Sequence, residues 1–509
     1  MIPIKDLGSV GFIPDQLAQE LPDAGLSSVS NVRTRDGHIE RIGGDTAIYT
    51  TPPVTPYFCI PYAAGSSRFL VYAGTAAVYA DDGSTQTDIT GTAPTGAAGN
   101  RWTGGVLNGV LILNNSIDQP MYWGGNVSNN LATLTGWNSA WRCASLRPWK
   151  NYLFALDVTK TATRYPHMVK WSSAADPGTV PASWNEADPA VDAGELDLAE
   201  TTDFLVDCLP LGDQLIIYKQ FSMYAATYVG GQFIFSFRRI PGDSGLMAKG
   251  CVASVPGGQI AITNGDVIFT DGQTVKSIVS GRVRKWLFNS IDPTYYERAF
   301  VTTNPSFNEA WICYPTTGNT LCNRALVWNW ADNTFTVRSL TNVTYGCSGQ
   351  ISAAVDDSFA ADSVSFDESS TTFDQAQLPL SKSQLVLATS TPQILAVDVG
   401  NDFHGTGFTA SIERTGLAFG DASTVKTARA VYPRIDGNSG STIYIQLGAT
   451  MDVEAPYTWA DPVPYVIGST FKADSFVTGR FIGYRIYSTG TFSWRARSIE
   501  FDVKARGKY

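Results

Sequence analysis

Leu211-Gly-Asp-Gln-Leu-Ile-Ile-Tyr-Lys-Gln-Phe-Ser-Met-Tyr224 holds one complete unit of the pattern that governs most of this chain. A Leu-Gly-Asp turn opens it, the apolar strand Gln214-Leu-Ile-Ile-Tyr218 follows, and after a polar break a second strand, Ser222-Met-Tyr224, closes on an aromatic ring. Short apolar runs bounded by turn residues read as hairpins, not helices. The unit recurs as Phe69-Leu-Val-Tyr72 with Ala77-Val-Tyr79, and as Gly109-Val-Leu-Ile-Leu113 with Pro120-Met-Tyr-Trp123. It returns as Tyr152-Leu-Phe-Ala-Leu156 with Met168-Val-Lys-Trp171, and as Gln259-Ile-Ala-Ile-Thr263 with Val267-Ile-Phe269. The sixth copy is Ala310-Trp-Ile-Cys-Tyr314 with Ala325-Leu-Val-Trp-Asn-Trp330. Units repeating about every 40–60 residues match the blade period of a β-propeller. A lone four-stranded sheet cannot bury both faces, whereas a closed ring of them buries every inner face and leaves few open edges. The turns Pro256-Gly-Gly258, Thr263-Asn-Gly265, Thr270-Asp-Gly272 and Thr317-Gly-Asn319 supply the positive-φ residues that tight hairpins need.

Working outward, the spacing stretches after Trp171, where residues 186–203 carry seven acidic side chains and no basic one, so this stretch reads as an insertion. A second break, 356–374, has six acidic residues, no basic residue and a Ser/Thr/Ala-rich composition, which reads as a linker. From about residue 424 strands return, among them Thr442-Ile-Tyr-Ile-Gln-Leu447 and Gly483-Tyr-Arg-Ile-Tyr487, enough for a small antiparallel sandwich. The expected fold is therefore mostly β: an N-terminal segment at 1–50, a propeller core of about six blades at 51–345, an acidic linker with bridging strands at 346–423, and a C-terminal antiparallel β-sandwich at 424–509.

The chain has 509 residues, 44% of them hydrophobic and only 16% charged, which excludes disorder and charged coiled coil. With 36 Lys and Arg against 46 Asp and Glu, the net charge of −10 argues against a protein that coats nucleic acid, since that needs many cations to displace counterions. The charge is uneven: residues 424–509 hold 11 basic and 7 acidic residues, so +4, and the remainder holds 25 and 39, so −14. No basic-then-apolar leader opens the chain, and no run approaches the roughly 18 apolar residues of a membrane span, so neither a secretory signal nor a membrane-spanning segment is expected.

Chemistry is sparse. The three histidines, His38, His167 and His404, stand apart, and the seven cysteines form no C-x-x-C pair, so no metal site and no cofactor are expected. Cys313 and Cys322 flank a turn and could face each other across a hairpin, but free buried thiols are the expected state in a reducing compartment. Gly242-Asp-Ser-Gly245 resembles a protease nucleophile segment, yet Leu246 replaces the expected glycine and no Ala-His-Cys lies upstream, so Ser244 reads as a turn residue. Gly43-Gly44 and Gly230-Gly231 lack the Lys-Ser/Thr and the helix that phosphate cradling needs. Trp102, Trp123, Trp137, Trp141, Trp149, Trp171 and Trp184 could build a carbohydrate platform, but at blade positions they serve better as packing between sheets.

Gly11-Phe-Ile-Pro-Asp-Gln16, Ser30-Asn-Val-Arg-Thr-Arg-Asp-Gly37 and Arg41-Ile-Gly-Gly44 resemble the opening of tail tube proteins, the hub or nozzle, of short-tailed bacteriophages. The stretch 165–185, with Val-Lys-Trp-Ser-Ser and Pro-Ala-Ser-Trp-Asn, is similar to a blade of that family, and Ser244-Gly-Leu-Met-Ala-Lys-Gly250 through Gly281 to the blade after it. Gly479-Arg-Phe-Ile-Gly-Tyr-Arg-Ile-Tyr487 and Phe492-Ser-Trp-Arg-Ala-Arg-Ser-Ile-Glu-Phe-Asp-Val503 resemble its terminal β-domain. The resemblance implies a non-enzymatic virion protein, assembled in the host cytoplasm as a homohexameric ring. Such a ring would extend the portal–adaptor channel, meet the tail adaptor ring and the tail fibre or spike proteins, and let double-stranded DNA pass during ejection without specific binding. In that setting an acidic wall would repel DNA without gripping it. The channel-lining candidates are Asp188, Asp192, Glu195, Asp197 and Glu200, or Asp356, Asp357, Asp362, Asp367 and Glu368. Arg480, Arg485, Arg495 and Arg497 are candidates for pairing with carboxylates of a neighbouring subunit, with stacking inside their own sandwich as the competing explanation. The alternative function is a carbohydrate-binding or glycan-cleaving propeller acting as a receptor-binding tail component.

Overall fold

In the computed structural model, which describes residues 1–65, 67–231, 233–350 and 383–508, the 211–224 unit is the middle of a four-stranded antiparallel sheet. That sheet runs Leu205–Leu211, Gln214–Lys219, Met223–Tyr228 and Phe235–Ile240. Four more sheets have the same meander and begin at Phe58–Ala64, Thr103–Leu107, Trp141–Trp149 and Val252–Val255. Leading strands touch in succession, Thr103–Leu107 to Trp141–Trp149 to Leu205–Leu211 to Val252–Val255 to Phe300–Asn304. The leading strand of each sheet is therefore its inner strand and the fourth its outer one, the arrangement of a β-propeller.

Among the described residues the ring has seven blades, one more than the sequence reading. The extra blade hides in a seven-stranded sheet built around one 16-residue strand, Thr334–Gly349, that serves twice. Up to Val343 it pairs with Cys322–Asn329 as the outer strand of blade 6; from Val343 to Gly349 it pairs with Gln384–Thr389, with a register shift at the handover. Its second half is the inner strand of blade 7 and packs on Phe58–Ala64 of blade 1. Gln393–Val397 and then Asp45–Ala47 complete that sheet. An N-terminal strand thus covers what would be an open edge. The 346–423 linker is corrected accordingly: its described strands belong to blade 7 and to the sandwich. The insertion read at 186–203 likewise contains Gly194–Asp197, the outer strand of blade 3.

Between blades lie separate apolar layers. Trp123 sits between blades 1 and 2, 1% exposed, with Tyr62 and Phe69 at 5.5 and 5.4 Å and its indole N–H donated to the carbonyls of Asn126 and Asn129. Burying a large side chain of this kind contributes about 2–3 kcal/mol when its polar atom is satisfied. Trp102, Trp137, Trp149 and Trp184 are also buried, the last with its indole N–H unpaired, and Trp141 and Trp171 are half-buried.

The sandwich takes strands from both ends of the chain. One sheet runs Ala473–Gly479, Thr424–Gly437, Trp494–Lys508, His38–Arg41, Val32–Arg35, with Ile2–Ile4 also paired to Trp494–Lys508. The other runs Thr458–Trp459, Thr442–Thr450, Phe481–Ser488, Ala410–Leu417, Ser28–Ser30, with Val463–Val466 alongside Thr442–Thr450. Residues 1–50 are therefore not a separate segment, and the sandwich does not begin at 424. Its apolar interior is continuous with that of blades 4 to 6.

Candidate functional site

Where sandwich and ring meet, five charged side chains from five separate strands or strand ends converge. Arg33, on Val32–Arg35 of the sandwich, donates Nε and Nη2 to the two carboxylate oxygens of Glu309 in blade 6 at 2.6 and 3.0 Å. The same Nη2 reaches Asp398, at the end of blade 7, at 2.7 Å. Asp398 also accepts from Asn304 at 2.9 Å and from Arg338 at 3.2 Å, and Arg338 pairs with Asp45 of the closing N-terminal strand. Trp311 donates to Glu309 at 2.9 Å, and Phe307 lies flat beneath the Arg33 guanidinium at 3.5 Å. All five are nearly solvent-free, with Arg33 at 4% and Arg338 at 1% exposure.

Burial opposes each of these charges. For Arg33 the carboxylates of Glu309 and Asp398 outweigh burial and raise its pKa; for Asp398, Arg33 and Arg338 outweigh burial and lower it. Asp45 keeps the upper hand of burial, and its carboxyl is pushed up to about 6. Gly43 and Gly44 have a spatial reason to be glycines here: a Cβ on Gly44 would stand 2.1 Å from the Asp402 carbonyl oxygen, and one on Gly43 2.8 Å from the Asp398 Cα. Beside the cluster opens a cleft of about 420 Å³, which Arg33, Arg41, Arg495 and Arg497 line together with Glu40 and Asp436. Arg41 stacks on Phe408 at 3.8 Å and donates Nη2 to the Asn401 carbonyl, and burial pulls its pKa down to about 10.

No family model and no curated protein matches this chain. Among solved structures it is similar to the WD40 β-propeller domain of Doa1, at 9% identity and a TM-score of 0.38, over 70% of this chain and 97% of that one. A second similarity, to the CNH domain of AfRom2, has 8% identity and a TM-score of 0.35, again over 70% of this chain and 97% of that one.

The acidic candidates lie at the outer side of blade 3. Glu195 and Asp197 are on its outer strand, and Glu195 is held by Lys160 at 2.6 Å and by the fully buried Lys170 at 2.8 Å, with Glu186 on the same Lys170 at 2.5 Å. Asp192 accepts from the Tyr152 hydroxyl at 3.1 Å, Glu200 from the Tyr224 hydroxyl at 3.4 Å, and Asp188 from the Ala190 amide at 2.9 Å. Asp356, Asp357, Asp362, Asp367 and Glu368 lie outside the described residues.

Each arginine candidate has a partner in its own chain. Arg495 pairs with Glu40 at 2.8 Å and Arg497 with Asp436 at 2.9 Å, both at the cleft. Arg485 binds Glu413 at 2.5 Å and stacks on Trp459 at 3.8 Å, and Arg480 donates to the Ala422 carbonyl at 2.8 Å. The structure thus brings Arg495 and Arg497 together with Arg33 and leaves Arg480 and Arg485 elsewhere.

Two cations that the sequence did not single out cross the middle of the ring. Arg101, before blade 2, donates to the carbonyls of Glu297, Arg298 and Ala299 before blade 6 and to that of Thr344 in blade 7. Lys249, before blade 5, reaches Ser116 Oγ of blade 2 and the Ala144 carbonyl of blade 3 at 2.8 and 3.0 Å. Among the described residues no cluster of three or more metal-ligating side chains occurs, and no helix is long and apolar enough to cross a membrane.

Proposed function

We propose that this chain is a structural virion protein: one subunit of a homohexameric ring, hub or nozzle, in the tail of a short-tailed bacteriophage. In this reading the ring extends the portal–adaptor channel and conducts double-stranded DNA at ejection by its shape, without bond-breaking groups. The observation that carries it is the joint between the two modules. Both chain ends are woven into one sandwich, and a buried five-charge cluster fixes that sandwich to the propeller, so two outward surfaces keep one relative orientation. A ring subunit that must hold neighbours in register while DNA moves past needs such rigidity. Because Arg101 and Lys249 span the propeller's centre, the conduit in this reading is the hole in the assembled ring of copies, not the axis of one propeller.

Contact surfaces are available on the sandwich. Its edge strand Ala473–Gly479 presents Phe476, 64% exposed, beside Phe471, 83% exposed, and the +4 charge of residues 424–509 opposes the −14 of the rest. Electron-microscopy class averages and native mass measurement of the purified protein test the reading. A six-fold annulus of full-length subunits is expected; a persistent monomer that binds glycans on an array would replace it with the receptor-binding alternative.

A further inference from the structure

We propose that Cys59 and Cys347 form a covalent modification site, an oxidisable pair whose disulfide locks the first blade of the ring to the last. Cys59 lies on Phe58–Ala64, the inner strand of blade 1, and Cys347 on the inner strand of blade 7. These two inner strands belong to different sheets and share no backbone ladder, so where they face each other they are held by side chains, while the backbone link of the seam lies on the outer strand Asp45–Ala47. The two sulfurs stand 3.1 Å apart, about 1 Å beyond the length of a disulfide bond. Around them Leu70, Tyr72, Val386 and Ala388 form a packed apolar layer that holds both side chains in place.

The sequence offered a different pair, Cys313 and Cys322, which stay free and buried. What distinguishes Cys59 and Cys347 is the 3.1 Å between their sulfurs; residue 347 is also the less buried of the two. Burial, and then the neighbouring Cys59, raise the Cys347 pKa well above that of an ordinary thiol, which keeps it protonated at neutral pH and makes its oxidation slow.

A small disulfide of the oxidised-glutathione class is the oxidant. The Cys347 thiolate attacks its S–S bond, one glutathione thiolate leaves, and Cys59 sulfur then displaces the second from the mixed disulfide. Two protein S–H bonds and one reagent S–S bond break, and one protein S–S bond forms. The two protons end on the two released thiols, and the two electrons lost by the protein reduce the reagent. The product ties residues 59 and 347 across almost the whole circuit of blades, which restricts the unfolded chain more than the folded one.

The test uses the full chain, incubated at length with oxidised glutathione at alkaline pH, against a sample kept in reductant at the same pH. Titratable thiols after denaturation are expected to fall from seven to five, and a protease digest to yield one linked peptide pair containing Cys59 and Cys347. The apparent melting temperature is expected to rise by about 3–5 °C, reversibly, from the size of such loop effects in a chain this long. Cys59→Ser and Cys347→Ser should each abolish the link and the shift, and the wild-type peptide map stands whether or not these variants fold well. Seven thiols after prolonged oxidation, a stable glutathione adduct on Cys347, or a link between other cysteines would overturn the proposal.

Discussion

Asp398 is the residue on which the joint turns, because it satisfies two arginines from different modules at once. Removing one partner of a buried ion pair leaves an uncompensated charge, at a cost of about 3–5 kcal/mol, whereas replacing a set by apolar side chains can be neutral. Asp398→Ala is therefore expected to cost about 3–5 kcal/mol of stability, read as a strongly lowered urea midpoint in tryptophan fluorescence. An unchanged midpoint would show that the cluster is not what fastens the modules. Asp45 gives the same cluster a pH signature. Its folded pKa is about 6, against an ordinary 3.8, so the folded state holds this proton more tightly than the unfolded state. Through this group stability is greatest below about pH 4 and declines as pH rises to about 6. Asp398, and outside the cluster Asp207, which is buried against Arg147 at 2.7 Å, have depressed values; their contributions are complete above the ordinary carboxylate range and are lost as pH falls through the folded values. Asp45→Asn should flatten the decline between pH 4 and 6 in denaturant titrations and leave the acid-side loss in place; a curve that keeps its full slope would assign the decline to another group.

At the scale of the strand, what could be read in the sequence was whatever local pairing makes visible. Gln214–Lys219 and Met223–Tyr228 are joined by a short turn, so their apolar alternation and closing aromatic announce a hairpin. Blade 7 has no such announcement. Its four strands come from 343–349, 384–397 and 45–47, and the strand Thr334–Gly349 looks like one element while serving two sheets. The sandwich hides for the same reason: Arg495 pairs with Glu40 across 455 positions, a separation that no periodicity encodes. The joint was equally silent, since Arg33, Asp45, Glu309, Arg338 and Asp398 are ordinary single charges in sequence and become a cluster only when five strands or strand ends meet. This weaving makes a prediction. A chain lacking residues 1–47 bares the edge of Gln393–Val397 and removes strands from both sandwich sheets. It is expected to aggregate or to lose its cooperative melting transition. A soluble truncated chain with native near-ultraviolet dichroism would mean that the ring closes without its N-terminal strand.

For the whole molecule, charge decides how copies could meet. The outer side of blade 3 is less acidic in effect than its composition suggests, because Lys160 and Lys170 neutralise Glu186 and Glu195 while Asp188, Asp192, Asp197 and Glu200 keep hydroxyl or amide partners or stay open. On the sandwich, Arg497 and Asp436 are 55% and 64% exposed, and an exposed pair of this kind contributes only about 0–1 kcal/mol to folding, whereas the Glu40 that holds Arg495 is largely buried. Reversing both charges, Arg495→Glu with Arg497→Glu, sets carboxylates against Glu40 and Asp436 and should therefore lower the melting temperature moderately while leaving a folded chain, and it removes the cations best placed to engage an acidic neighbour. If the proposed ring forms, in analytical ultracentrifugation the wild-type assembly is expected to weaken with added salt, as screening shortens the reach of surface charge, and the double variant to sediment as a folded monomer even at low salt. Arg485→Glu is the comparison, because Arg485 is committed to Glu413 and to the face of Trp459 inside its own sandwich. That change should lower the melting temperature and spare whatever ring survives. If the double reversal assembles like wild type, the arginines serve their own sandwich, and subunit contact in the proposed ring shifts to the exposed Phe471 and Phe476 edge, where Phe476→Ser would then have to produce the monomer.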